Sequence, residues 1–183
     1  LSYDLNFFKV PPGISAVECY ETIPWENPEA IDPSLRIDIR RLADDLVGLG
    51  LGLEEVAKNF AELARATALT EEEAREQFSG IEINTKELGD APLQLQLDTV
   101  CVCITMPYWE FSPDSQAELQ RYWSGILPVL KAHGLVGYDP QRDVEIRNGG
   151  LEEIFSSLQD VRTQTVGAIG AAQEPKKPWW KVW

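Results

Sequence analysis

This chain is poor in the residues that make reactive or cross-linked sites. Its 183 residues include one histidine, one methionine and three cysteines. An odd number of cysteines at positions 19, 101 and 103 builds no disulfide framework. Cys101-x-Cys103 would supply half of a thiolate metal site, but with one histidine in the chain and no third cysteine nearby the other half is missing. The sequence therefore predicts no metal and no cofactor. The cysteines read as small buried hydrophobes, with Cys101 and Cys103 on one face of a strand. Unpaired thiols point to a reducing, cytoplasmic setting. No apolar run approaches the ~20 residues of a membrane helix. The opening Leu1-Ser2-Tyr3-Asp4 has no basic n-region or small-residue cleavage site, which predicts no signal peptide.

Positive charge is the other scarcity. Lysine and arginine number 16 against 30 aspartates and glutamates, for a formal net charge of −14. The imbalance is uneven: residues 1–120 carry 23 acidic and 8 basic side chains, and residues 121–183 carry 7 and 8. Nucleic-acid binding needs a basic surface, so that class is excluded. Stable association with anionic membranes is disfavoured by the same argument. A basic protein partner is the opposite case, because an acidic surface steers it in. The acidic residues with the densest local clustering are Glu71, Glu72, Glu73 and Glu76, followed by Asp44 and Asp45. They are the candidate partner-binding face.

What is present is enough apolar residue, 44%, for an ordinary folded domain. Residues 3–10 read as a strand and 14–34 as a proline-rich loop with room for one short turn of helix. Residues 33–47 and 53–67 read as helices separated by Gly48, Gly50 and Gly52. Thr70 with Glu73 is a capping box opening a short helix that ends near Gly80. Residues 81–85 alternate as a strand, and residues 93–97 and 100–106 form a hairpin about Asp98-Thr99. Ser112-Pro113-Asp114 opens a long helix to His133, with Pro128 inside it. Strands are expected at 135–139 and 143–147, a turn at Asn148-Gly149-Gly150, and a last helix over 151–169. The sum is an α+β domain over residues 1–169: an antiparallel sheet of five to six strands with helices mainly on one face, and residues 33–79 as a helical insertion.

No catalytic motif emerges. His133, in the last turn of a helix, reads as a cap. The Gly48/Gly50/Gly52 run has no preceding strand and no following Lys-Ser/Thr, so it is a helix breaker rather than a phosphate loop. Pro107-Tyr108-Trp109 reads as aromatics pinning the long helix to the sheet edge. Tyr138-Asp139-Pro140-Gln141 reads as a turn whose aspartate accepts a backbone N–H. Residues 170–183 form a tail with Trp179, Trp180 and Trp183, expected to dock on its own domain or on a second copy, since large apolar patches are rarely left exposed.

Three patterns together carry a resemblance: Ser2-Tyr3-Asp4-Leu5, a strand ending in Pro107-Tyr108-Trp109, and His133 to Gln141. They are similar to a group of small bacterial cytoplasmic proteins, mostly uncharacterised, many of which look like immunity proteins encoded beside polymorphic or secreted toxins. The resemblance covers residues 80–147 and, loosely, the first strand. It implies a cognate toxin domain, of basic charge, as partner, and brings no catalytic residues. Two other readings stand beside it: an enzyme with a cleft near Tyr108, Asp139 and His133, and an acidic adaptor or chaperone for a secreted effector.

Overall fold

The computed structural model describes residues 2–25, 27, 30–85, 93–107, 113–146, 152, 154–156, 160 and 163. Tyr108, Trp109, the Ser112 cap, the turn at 148–150 and the tail with Trp179, Trp180 and Trp183 lie outside these residues.

The chain forms an α+β fold with a seven-stranded antiparallel sheet. The strands are β1 (Ser2–Lys9), β2 (Leu53–Glu55), β3 (Ile81–Thr85), β4 (Gln94–Leu97), β5 (Val102–Pro107), β6 (Leu135–Asp139) and β7 (Val144–Ile146). Their spatial order is β2-β3-β4-β5-β1-β6-β7. The helices are α1 (Ala16–Thr22), α2 (Ile39–Val47), α3 (Phe60–Thr67), α4 (Glu71–Gln77) and α5 (Pro113–Ala132).

Period-two alternation divides the sheet into two unlike faces. One presents Tyr3, Leu5 and Phe7 of β1, Leu95 and Leu97 of β4, and Val102, Ile104 and Met106 of β5, all buried. The apolar stripes of α2 (Leu42, Leu46) and α5 (Leu119, Trp123, Ile126, Leu130) close over it as the main core. Trp123 is fully buried at its centre, 6.1 Å from the Phe7 ring, with its indole N–H on the Met106 sulfur at 3.3 Å. The second face holds a smaller core, in which Phe8 and Tyr138 meet Ala16 and Cys19 of α1.

Three local expectations need correction. The sheet has seven strands rather than five or six, because residues 53–55 pair with Thr85, Asn84 and Ile83 as an edge strand instead of starting a helix. Gly50 and Gly52, at φ +67° and +79°, turn the chain from α2 into that strand, and only glycine takes such angles without strain. Helix α3 starts later, where the Asn59 side chain accepts from the Glu62 N–H. Residues 16–22, expected to hold no more than one short helical turn within a loop, form the seven-residue α1, capped by a reciprocal Ser15–Glu18 box. Leu42, Ala43 and Leu46 of α2 lie in the main core.

Ser2, Tyr3, Asp4, Pro107, Asp139 and Gln141, drawn from the three motifs that carried the resemblance, meet at one end of the sheet. Ser2 pairs with Pro107 across β1 and β5. The Tyr3 hydroxyl donates to Asp139 Oδ2 at 2.5 Å, and Asp139 Oδ1 accepts from the backbone N–H groups of Gln141 (3.0 Å) and Arg142 (3.3 Å). The Gln141 amide, oriented to suit its neighbours, donates to the Asp4 carbonyl at 2.8 Å and accepts from the Asp4 N–H at 3.2 Å. Ser-Tyr-Asp-Leu and Tyr-Asp-Pro-Gln are thus two halves of one contact that ties β1 to the turn after β6.

Candidate interaction face

The second face of the sheet carries two rows of residues set by strand register. Glu54, Asn84, Gln94, Thr105 and Asp4 lie side by side across β2, β3, β4, β5 and β1. Glu82, Gln96, Cys103, Asn6, Tyr138 and Glu145 form the next row, from β3 to β7. The rows contain four carboxylates, several amides and no lysine or arginine. Helix α1 covers the β6–β7 end, where the Ala16 N–H donates to Glu145 at 3.0 Å. At the β3–β4 side, Glu82 Oε1 accepts from the Asn84 and Gln94 amides at 3.0 and 2.9 Å. These bonds hold the row in place without cancelling its charge.

Aromatic side chains from four separate segments gather at the margin of α1. The Tyr20 ring lies 4.4 Å from Tyr138, 5.1 Å from Trp25 and 6.0 Å from Phe8. The indole N–H of Trp25 donates to the Tyr20 carbonyl at 3.2 Å, which fixes the ring although 43% of the residue remains exposed. Exposed, immobilised aromatics are common anchors in protein interfaces. Beside Trp25 opens a pocket of about 330 Å³, lined by Gln77 at the end of α4, Gln96, the Asp98–Val100 turn, Cys101 and Cys103.

The predicted acidic residues do not form one surface. Asp44 pairs with Arg40 at 3.0 Å, and Arg40 also holds Glu55 through two bonds of 3.2 and 2.7 Å. That guanidinium keeps the Glu55 carboxyl below its ordinary range. Asp45 bonds the His133 ring at 2.8 Å and shares a small pocket with Lys9 and Arg41, so its surroundings are mixed in charge. His133 therefore serves a carboxylate of α2 rather than the carbonyls of its own helix. On α4, Glu71 pairs with Arg75 at 2.7 Å, and Glu73 accepts from the Thr70 N–H and hydroxyl, which lowers its pKa. Glu72 and Glu76 are exposed, one helical turn apart, with no ion pair among the described residues. Helix α4 is itself fastened by Lys58, which donates to the Phe78 carbonyl at 2.9 Å and to that of Gly80.

The residues named for an enzymatic cleft are separated. Asp139 is 1% exposed and fully engaged, and His133 lies at the other end of β6, some 15–20 Å away at ~3.3 Å per strand residue. Tyr108 lies outside the described residues. Among the described residues no group of three or more His, Cys, Asp or Glu is arranged to hold a metal ion, and no helix is long and apolar enough to cross a membrane.

The buried thiol and phenol on this face make a measurable demand on pH. Burial, reinforced by Cys103, pushes the Cys101 thiol up to about 12, and burial with the Asp143 contact pushes the Tyr138 phenol up to about 12. Both groups start lower in the unfolded chain, near 9.0 and 10.0. A raised pKa gives stability that is whole below the unfolded value and is lost as pH climbs through the folded one. Each group then costs ~1.4 kcal/mol per pH unit in that window. Urea midpoints under reducing conditions should hold up to about pH 9 and fall between there and 12. The Cys101→Ala/Tyr138→Phe protein should fall less steeply; an identical slope would contradict this account of the face.

Fold and face together define an α+β protein whose sheet has one helix-covered apolar side and one amide- and carboxylate-lined side with an aromatic margin. Comparison with protein-family models, with curated proteins and with solved structures returned no match.

Proposed function

We propose that this chain is an immunity protein: it binds a basic toxin domain through the second face of its sheet and blocks that domain's active site or substrate surface. The observation that carries the reading is the composition of that face. Asp4, Glu54, Glu82 and Glu145 lie in its two rows with no basic residue among them, and the fixed, half-exposed Trp25 stands at its edge. A sheet face usually buries apolar side chains or stays uniformly polar. Carboxylates and amides beside an anchored tryptophan suit a charged partner, since charge gives rate and specificity while the aromatic supplies affinity. The acidic balance of residues 1–120 and the resemblance of the Ser-Tyr-Asp-Leu, Pro-Tyr-Trp and Tyr-Asp-Pro-Gln patterns support the same reading. Three unpaired thiols suit a cytoplasmic site of action, where such a protein would shield its own cell.

Calorimetric titration with basic bacterial toxin domains tests the proposal. A one-to-one complex of nanomolar affinity or better, in which the toxin loses activity, is expected. Absence of a complex, or equal binding to several unrelated secreted effectors as an adaptor would show, contradicts it.

A further inference from the structure

We infer that the pocket beside Trp25 receives an arginine side chain of the partner. The inference rests on the partner-binding reading above and assigns it a specific contact. The cavity of about 330 Å³ is lined by an acid (Asp98), two side-chain amides (Gln77 and Gln96), an indole (Trp25) and the Cys101 and Cys103 thiols. No cationic side chain lines it. Each part matches a part of arginine. A guanidinium is planar, weakly hydrated, always charged, and presents five N–H donors in a fixed fork. Asp98 and the amide oxygens of Gln77 and Gln96 are acceptors for that fork, and the Trp25 ring is a stacking surface for its plane. The thiols and Val100 give the methylene stem an apolar path.

The thiols themselves are chemically quiet. Burial raises the pKa of both, Cys101 to about 12, so they line the pocket as neutral apolar groups rather than as nucleophiles or competing anions. Lysine fits less well: its compact ammonium is strongly hydrated and has no plane to stack. The site is also prepared in advance. Trp25 is held by its bond to the Tyr20 carbonyl and by the Tyr20 ring at 5.1 Å, so little order has to be created on binding.

The test uses the full chain labelled with nitrogen-15 and three short blocked peptides that differ at one position: arginine, lysine or citrulline. The arginine peptide should shift the Trp25 indole N–H and the amides of residues 98–100 in a saturable way, with millimolar affinity. The lysine peptide should bind more weakly, and citrulline, which keeps the shape and loses the charge, should not saturate. Asp98→Asn should weaken the arginine peptide about tenfold, the cost of one charge-assisted hydrogen bond. Trp25→Ala should abolish the response while the rest of the spectrum shows an intact fold. Equal shifts with citrulline, or shifts that map outside these residues, would overturn the assignment. Failure of the peptide titration while the toxin domain still binds would remove this contact and leave the partner reading standing. Peptide binding without a toxin complex would do the reverse.

Discussion

Replacing Asp139 with alanine is expected to destabilise the fold by about 3–4 kcal/mol and to lower the melting temperature by roughly 10 °C. The magnitude follows from what the carboxyl group serves. It is 1% exposed and accepts from the Tyr3 hydroxyl at 2.5 Å and from two backbone N–H groups of the following turn. Alanine leaves the buried Tyr3 hydroxyl and two part-buried backbone N–H groups without their acceptor, and each orphaned group costs up to ~1–3 kcal/mol. Partial collapse and water entry keep the sum below the arithmetic maximum. Tyr3→Phe removes a single donor and should cost about 1–2 kcal/mol. The double substitution should cost at least ~1 kcal/mol less than the sum of the two, because the first change already breaks the shared bond. Chemical denaturation of the four proteins measures this. Strict additivity would mean that the β1–β6 contact is not the reason these motifs occur together.

Neutralising Glu72, Glu76 and Asp98 together, as Gln, Gln and Asn, is expected to slow association with the basic partner about tenfold or more at low salt and to flatten the dependence of rate on salt. These three make no ion pair among the described residues, so their field reaches solvent. Neutralising Asp44 and Asp45 should change the rate far less, because Arg40 and His133 already face them. Both variants should stay within about 0.5 kcal/mol of the parent in stability if only exposed charge is lost, apart from the ion pairs of the second set. Stopped-flow association across a salt series distinguishes them. A larger effect from Asp44 and Asp45 would move the binding surface to the α2 side of the molecule.

The fold was largely legible where the chain makes local decisions. The Thr70–Glu73 box, the alternation over 81–85 and 93–106, and Pro113 at the start of a long amphipathic helix each mark an element that the structure contains. Strand β2 was not legible. Three residues are too few for a period-two signal, and Leu53, Val56, Phe60 and Leu63 happen to recur at helical spacing. Only pairing with β3, a tertiary event, decides for strand. Helix α1 was hidden by Pro24, Pro28 and Pro33, although Ser15 and Glu18 carried the same capping signature that located α4.

The candidate face was harder still. Its aromatic margin joins Phe8, Tyr20, Trp25 and Tyr138, residues from four segments that no local pattern links. Density of charge along a chain says nothing of intramolecular partners. Two of those partners were in view: Arg40 with Asp44, and Glu71 with Arg75, both at a spacing of four on a helix. The Asp45–His133 bond spans 88 residues and was not.

The most direct test of the central claim is the affinity of the proposed basic toxin partner for the Gln94→Arg protein. Gln94 is exposed and sits in the middle of the first polar row, between Asn84 and Thr105. An arginine there sets a like charge against the basic partner at the centre of the proposed interface, at a cost of several kcal/mol. The dissociation constant should rise about a hundredfold or more while the fold stays intact by circular dichroism. A dissociation constant equal to that of the parent would show that the partner does not contact the second face of the sheet.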